Sequence, residues 1–276
     1  MRKLLGLLCF VPLLALAQQQ QDVRTELRKL SWVQGPAEGP IAGKATIKVP
    51  PGFVYLNETD TSRFLVLMGN PPDKGNFLVA PKDLNWFSVF SFSATGFVKD
   101  DEKINADELL KQLKSADVAS NEERKVLGIS MLSTEGWQVP PHYDISTKRL
   151  EWGLKLRDDN GKYIVNYTTR LLGRTGVMRV VLVSDPESLA SDTFAFKGAL
   201  EGFSYDAGER YAEFKSGDKI AQYGLSALVL GGAAALATKK GFWAALVGIV
   251  GAFWKLLLGV GVAALYGFVK FFKKKP

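Results

Sequence analysis

His142 is the only imidazole in the chain, and it stands in the segment PPHYD beside Tyr143 and Asp144. A histidine oriented by a carboxylate is a common general base, so this trio is the first place to look for acid–base chemistry. Adjacent residues seldom face one another, however, and Pro140-Pro141 predict a rigid extended loop, so the plainer reading is structural. The run Asp100-Asp101-Glu102 and the pair Asp158-Asp159 offer oxygen ligands for calcium. Neither has the spaced D-x-D-x-D-G-x5-E pattern, and a solvated loop and a hairpin turn account for them. The single cysteine, Cys9, lies in an N-terminal apolar run. A disulfide and a multi-histidine metal site are therefore both excluded. The chain has neither a G-x-S-x-G elbow nor a glycine-rich phosphate cradle, and no cofactor is expected.

The N-terminus explains where the cysteine goes. Met1-Arg2-Lys3, the apolar run Leu4–Leu16 and the small-residue ending at Ala17 together form a secretory signal peptide, residues 1–17. Cleavage after Ala17 leaves a mature chain without cysteine. At the other end, residues 221–238 carry no charge, and 18 helical residues reach about 27 Å, close to the hydrocarbon thickness of a bilayer. A transmembrane helix is expected there, flanked by Lys239 and Lys240. Residues 241–269 are apolar except for Lys255, and a basic tail, 270–276, ends in Lys273, Lys274 and Lys275. If this second segment spans, Lys255 sits near mid-bilayer at a cost of about 2.5–3.5 kcal/mol, and the lysine tail ends outside. A re-entrant hairpin bending at Trp254-Lys255 keeps both lysine clusters in the cytoplasm; both topologies stay open. Ala227, Gly231 and Ala235, and then Gly251, Gly259, Ala263 and Gly267, recur at four-residue multiples that let membrane helices pack closely.

The formal charge of +7 divides unevenly. Residues 218–276 hold eight Lys and one Asp, a net of +7, whereas residues 18–217 hold 25 Lys and Arg against 27 Asp and Glu, a net of −2. The surplus sits at membrane boundaries, as the positive-inside rule requires, and nucleic acid is not expected as a partner.

Residues 18–216 form the exported domain. Val23, Leu27 and Leu30 predict a short amphipathic helix, KATIKV at 44–49 a strand, and Arg63–Met68 and Asn85–Phe92 two more strands. Trp86, Phe87, Phe90 and Phe92 make the last of these strongly aromatic; burial on both faces fits it better than an exposed peptide or lipid groove. Asn105 caps a helix beginning ADELLKQLK, and helical character resumes from Glu122 to Gly128. Residues 150–156, 163–167 and 177–183 alternate as strands joined by DDNG and GRTG turns, a three-strand meander. Ser191-Asp192 caps a last helix. Asn57-Glu58-Thr59 and Asn166-Tyr167-Thr168 satisfy the glycosylation pattern, which matters only in a eukaryotic secretory pathway. Tight hairpins in place of helical crossovers define an α+β fold with an antiparallel sheet and flanking helices, followed by C-terminal transmembrane helical segments.

VKDDEK (98–103), GWQVPPHYD (136–144), RLEW (149–152), VNYTTRLLGRTGV (165–177) and YAEFKSGDKIAQYG (211–224) together resemble a bacterial domain-of-unknown-function family of uncharacterised membrane-anchored proteins. The resemblance implies a secreted domain tethered at its C-terminus and brings no catalytic residues with it. VPPGF at 49–53 and the DPESLASDTF helix start resemble the PsbP type of α+β domain. The expectation is a non-enzymatic protein of the bacterial inner membrane with its N-terminal domain in the periplasm, whose partners are the lipid bilayer and another envelope protein or a second copy. The candidate functional residues are Asp100, Asp101, His142, Tyr143, Asp144 and Lys255. A carboxylate-dependent envelope hydrolase and a membrane-stress sensor working through Lys255 and the lysine tail are the alternatives.

Overall fold

A computed structural model describes residues 23–70 and 73–231. The expected signal peptide, residues 1–17, together with Lys239, Lys240, Lys255, Lys273, Lys274, Lys275 and the segment 241–269, lies outside the described residues. The chain divides into two compact units, Met1–Ser226 and Ala227–Pro276. Among the described residues no helix is long and apolar enough to cross a membrane.

The first unit is built on an eight-stranded antiparallel sheet. Helix α1 (23–28) precedes β1 (Val33–Gln34), β2 (Ala37–Ile41), β3 (Ala45–Val49) and β4 (Phe53–Leu56). Helix α2 (Glu58–Leu67), β5 (Asn76–Pro81), β6 (Phe87–Ser93) and α3 (Ala106–Val126) follow. The meander β7 (Leu132–Asp144), β8 (Arg149–Asp158), β9 (Tyr163–Leu172) and β10 (Val177–Ser184) comes next, then α4 (Leu189–Leu200), β11 (Phe203–Tyr205) and α5 (Leu225–Val229). The large sheet runs β1-β4-β5-β6-β10-β9-β8-β7, and a small one runs β11-β3-β2.

Strand alternation sends side chains to two cores. Phe77, Val79, Phe90, Val180 and Leu182 meet the small sheet and α4, whereas Val54, Leu56, Leu78, Ala80 and Val89 meet Leu30, Phe64 and Leu65 on the opposite face. The aromatic strand is thus buried on both faces, with Trp86 and Phe90 in the first core and Phe87 packed on the second. Where the small sheet meets the large one, the Tyr205 hydroxyl accepts from Met178 N at 2.9 Å and donates to the Leu171 carbonyl at 2.7 Å, bridging two paired residues of β9 and β10.

Three elements differ from their sequence-based expectation. Arg63–Met68 is not a strand but the end of α2: Asn57 accepts from Asp60 N at 3.0 Å, Glu58 and Asp60 occupy the first turn, and Thr61, Phe64 and Leu65 are buried at helical spacing. A five-residue apolar run such as Phe64–Met68 looks the same in a strand and a helix, so the cap upstream decides. Pro140-Pro141 lie not in a loop but in the edge strand β7, where prolines are tolerated because one side of the strand has no ladder to complete. Helix α3 covers that edge with polar side chains. Asp117 accepts from Thr134 N at 2.7 Å, and Asn121 both accepts from Leu132 N at 2.9 Å and donates to its carbonyl at 2.8 Å. Helix α4 starts at Leu189, three residues ahead of the expected Ser191-Asp192 cap; Asp192 instead accepts from Ser184 at 2.6 Å, tying the first turn to β10.

Replacing Tyr205 by Phe keeps the ring and leaves Met178 N and the Leu171 carbonyl buried without their bridge. The expected loss of stability is about 1–3 kcal/mol in urea unfolding followed by tryptophan fluorescence, and a loss below about 0.5 kcal/mol contradicts the bridge.

Candidate functional site

The trio His142, Tyr143, Asp144 is taken apart by the strand that carries it. Successive residues of β7 point to opposite faces. His142 lies across from Glu151, Tyr143 across from Leu150, and Asp144 across from Arg149. Asp144 closes the β7–β8 turn: its carboxylate accepts from Ser146 N and Oγ at 2.8 and 2.6 Å and from Thr147 Oγ1 at 2.8 Å. Those hydrogen bonds hold its pKa far below the ordinary carboxylate range. Asp144 therefore shapes a turn and does not orient the histidine.

His142 finds a different carboxylate. Glu151 of β8 is 6% exposed, and one of its oxygens, Oε2, accepts from Lys197 Nζ of α4 at 2.9 Å and from the Tyr167 hydroxyl of β9 at 2.9 Å. His142 Nε2 stands 3.5 Å from that same oxygen, and Thr169 Oγ1 donates to Oε1 at 3.3 Å. Burial pushes the Glu151 carboxyl up, yet the hydrogen bond and charge of Lys197, the Tyr167 hydroxyl and the charge of His142 together hold it below its ordinary value. Tyr167 is pushed above the ordinary phenol range by burial and by Glu151. Sequence reading quoted this glutamate only within RLEW; the alternation of β8 against β9 is the signal that puts it beside Thr169. A carboxylate fully engaged by a lysine and hydroxyls is a fastening between sheet and helix. A general base needs a free lone pair and a raised pKa.

On the opposite face, Asp100 and Tyr143 do come together. Asp100 accepts from the Tyr143 hydroxyl at 2.7 Å and from Lys148 Nζ at 2.8 Å. Burial raises the Asp100 carboxyl, but Lys148, Tyr143 and Tyr211 outweigh it and leave the net shift downward. Lys148 also sits 5.1 Å from the Tyr211 ring, which stacks on Phe97 at 4.4 Å. Asp101 is exposed and joins neither cluster by a hydrogen bond among the described residues.

Tyr211 belongs to a strap, residues 206–226, that ties the end of the unit to two loops. Arg174 grips Asp218 with two hydrogen bonds of 2.7 Å, which lower the Asp218 pKa to about 2, while its backbone N donates to the Glu209 carbonyl at 2.8 Å. Glu209 binds Lys44 at 2.6 Å and also the Thr175 hydroxyl. Phe97 N donates to the Lys219 carbonyl at 2.8 Å, and Ala221 N to the Phe97 carbonyl at 2.9 Å. Glu102, solvated in the sequence reading, accepts from Ser226 N at 3.1 Å. Within 221–231 the helix is the five-residue α5, Leu225–Val229, and the rest of the expected spanning segment 221–238 lies outside the described residues. Ala221 is engaged with Phe97, and Gly224 passes so close that a Cβ there would meet Glu102 Oε2 at 2.2 Å.

Two further residues escaped sequence reading. Arg170 and Arg179 face each other across β9 and β10, and Arg170 lies 5.8 Å from the Trp152 ring. Burial, reinforced by Arg179, pushes Arg170 down to about 9. The Asp158-Asp159 pair serves its hairpin, with Asp158 accepting from Asn160 N at 3.0 Å and Lys162 N at 2.7 Å. No cluster of three or more metal-ligating side chains occurs among the described residues.

These observations define an α+β domain on a large antiparallel sheet, with its ionisable groups invested in internal fastening. The chain belongs to the family described as "Protein of unknown function (DUF2167)", which matches residues 34–265. No curated protein matches. Among solved structures, the solution structure of cyanobacterial PsbP (CyanoP) from Synechocystis sp. PCC 6803 is similar, at 9% identity and a TM-score of 0.36, over 62% of this chain and 92% of that one.

The Glu151 fastening makes a pH prediction. A carboxyl held below its unfolded pKa, about 4.3, adds stability above that pH and loses it as pH falls through its folded pKa. Glu151→Gln should therefore lower the melting temperature at pH 7, and its gap to wild type should narrow only as the pH falls below about 4.3. A pH-independent gap in thermal unfolding contradicts an ionised Glu151.

Proposed function

We propose that this protein is a membrane-tethered module of the bacterial envelope, with its domain on the periplasmic side of the inner membrane, and that it binds another envelope component or a second copy without catalysing a reaction. The observation that carries the tethered reading is the strap. From Glu209 to Ser226 the backbone and side chains are fastened to the 93–102 and 173–176 segments, and the uncharged run of 221–238 begins inside that fastened stretch. Within the first unit the chain is fastened as far as Ser226, inside that uncharged run.

The non-catalytic reading is supported by the state of the ionisable groups. Asp100, Asp144, Glu151, Glu209 and Asp218 all accept from internal donors, and the pKa of each is held down. A hydrolase working through two carboxylates needs one acid with a raised pKa.

Reporter fusions after Lys240 and after Pro276 test the tether. Cytoplasmic signal at Lys240 is expected, and a periplasmic signal there overturns the orientation. The signal at Pro276 then separates a re-entrant 241–269 from a spanning one. For the non-catalytic role, Asp100→Asn, Asp101→Asn, Glu102→Gln, His142→Ala and Asp144→Asn are each expected to leave cellular function in proportion to protein level. Abolished function at one or two of them, with the fold intact, favours the hydrolase.

A further inference from the structure

Beside α1 lies a cleft of about 430 Å³ whose wall is apolar and whose charge is all of one sign. Leu27, Trp32 and Leu84 line it together with Arg24, Arg28 and Lys82, and no carboxylate does. The acids nearby are engaged elsewhere. Glu26 pairs with Lys29, Asp83 accepts from Asn85 N at 3.2 Å and Nδ2 at 2.8 Å, and Asp60 accepts from Ser31 N at 3.1 Å and Arg63 at 3.3 Å. Among the described residues, Arg24, Arg28 and Lys82 form no ion pair, whereas Lys44, Lys148, Lys197 and Arg174 each do.

Two features set this cleft at a cost to the fold. Arg24 and Arg28 stand four residues apart on one helical face, where like charges repel and weaken a short helix. Leu84, in the β5–β6 connection, has φ +56°, a left-handed conformation that a leucine rarely adopts. It is held there by a hydrogen bond from its N to the Pro81 carbonyl at 3.0 Å. The indole of Trp32 is likewise fixed, donating to the Leu27 carbonyl at 2.8 Å and meeting the Phe64 ring edge-on. The apolar wall is therefore preformed, and among the described residues the cations around it have no ion-pair partner.

We infer that this cleft takes an anionic phospholipid, its phosphate held by Arg24, Arg28 and Lys82 and the start of its acyl chains laid on Leu27, Trp32 and Leu84. A bare inorganic anion would leave the apolar wall and most of the volume unused, and a zwitterionic lipid would bring its own cation to a cationic rim. The inference stands on the cleft alone and not on the tethered reading.

The test uses the full chain in a neutral detergent, titrated calorimetrically with short-chain phosphatidylglycerol, short-chain phosphatidylcholine and inorganic phosphate. Phosphatidylglycerol should bind, and Arg24→Glu/Arg28→Glu should weaken it about tenfold or more, the loss of one or two charge-assisted hydrogen bonds. Lys82→Glu, in a turn and outside α1, should weaken it in the same direction if the double variant perturbs the helix. Equal affinity for the two lipids, inorganic phosphate binding as tightly as phosphatidylglycerol, or unchanged affinity in folded Lys82→Glu each overturns the site. The fusion signals at Lys240 and Pro276 do not depend on this outcome, so failure of one reading is distinguishable from failure of the other.

Discussion

Strands β6 and β10 pair over seven positions, from Val177 with Ser93 to Val183 with Phe87, and this seam holds the rest of the unit together. It joins the β4–β6 meander to the β7–β10 meander, which are otherwise separate in the sheet order. Both strands feed the first core, through Phe90 and Val180, and β6 also feeds the second, through Val89. Where the seam ends, the loop after β6 and the turn before β10 are forced into contact. A Cβ on Gly176 would lie 2.1 Å from the Ser93 carbonyl, so only glycine lets the two approach, and Gly96 N donates to Thr175 O at 3.0 Å. This joined pair of loops is the surface to which the strap is tied.

The same economy governs the charges. Residues 18–217 are almost neutral, and four of the carboxylates serve as joints: Glu151 between sheet and α4, Asp100 between β7 and the strap, Glu209 and Asp218 between the strap and its anchoring loops. Several joints are partly exposed, so each contributes modestly alone, but together they fix where each element sits. The cations beside α1 differ: among the described residues Arg24, Arg28 and Lys82 form no ion pair, and they line an apolar cleft.

The fold class and most elements were legible in the sequence because they rest on local signals. Asn105 does cap α3, accepting from Glu108 N at 3.2 Å, and the β8–β9–β10 meander follows its alternation and its DDNG and GRTG turns. What failed was what depends on distant partners. Arg63–Met68 is helical because of a cap six residues upstream and a core across the sheet. Residues 132–144 form a strand because β8 and the polar face of α3 satisfy their backbone. The candidate residues divide in the same way. The sequence could list His142, Tyr143 and Asp144 as neighbours, but strand geometry parts them, and the partners they acquire, Glu151 and Asp100, lie 9 and 43 residues away or serve a turn. Alternation in β7 and β8 was the available signal for Glu151, and Pro140-Pro141 masked it.

The mounted-domain reading is tested most directly by amide hydrogen exchange on the full chain in membrane mimics. If the strap is an integral part of the unit, Phe97, Arg174 and Ala221, whose backbone N–H groups make its hydrogen bonds, exchange as slowly as the amides of β10. Exchange at the rate of an open linker at these three amides, with β10 still protected, would contradict it.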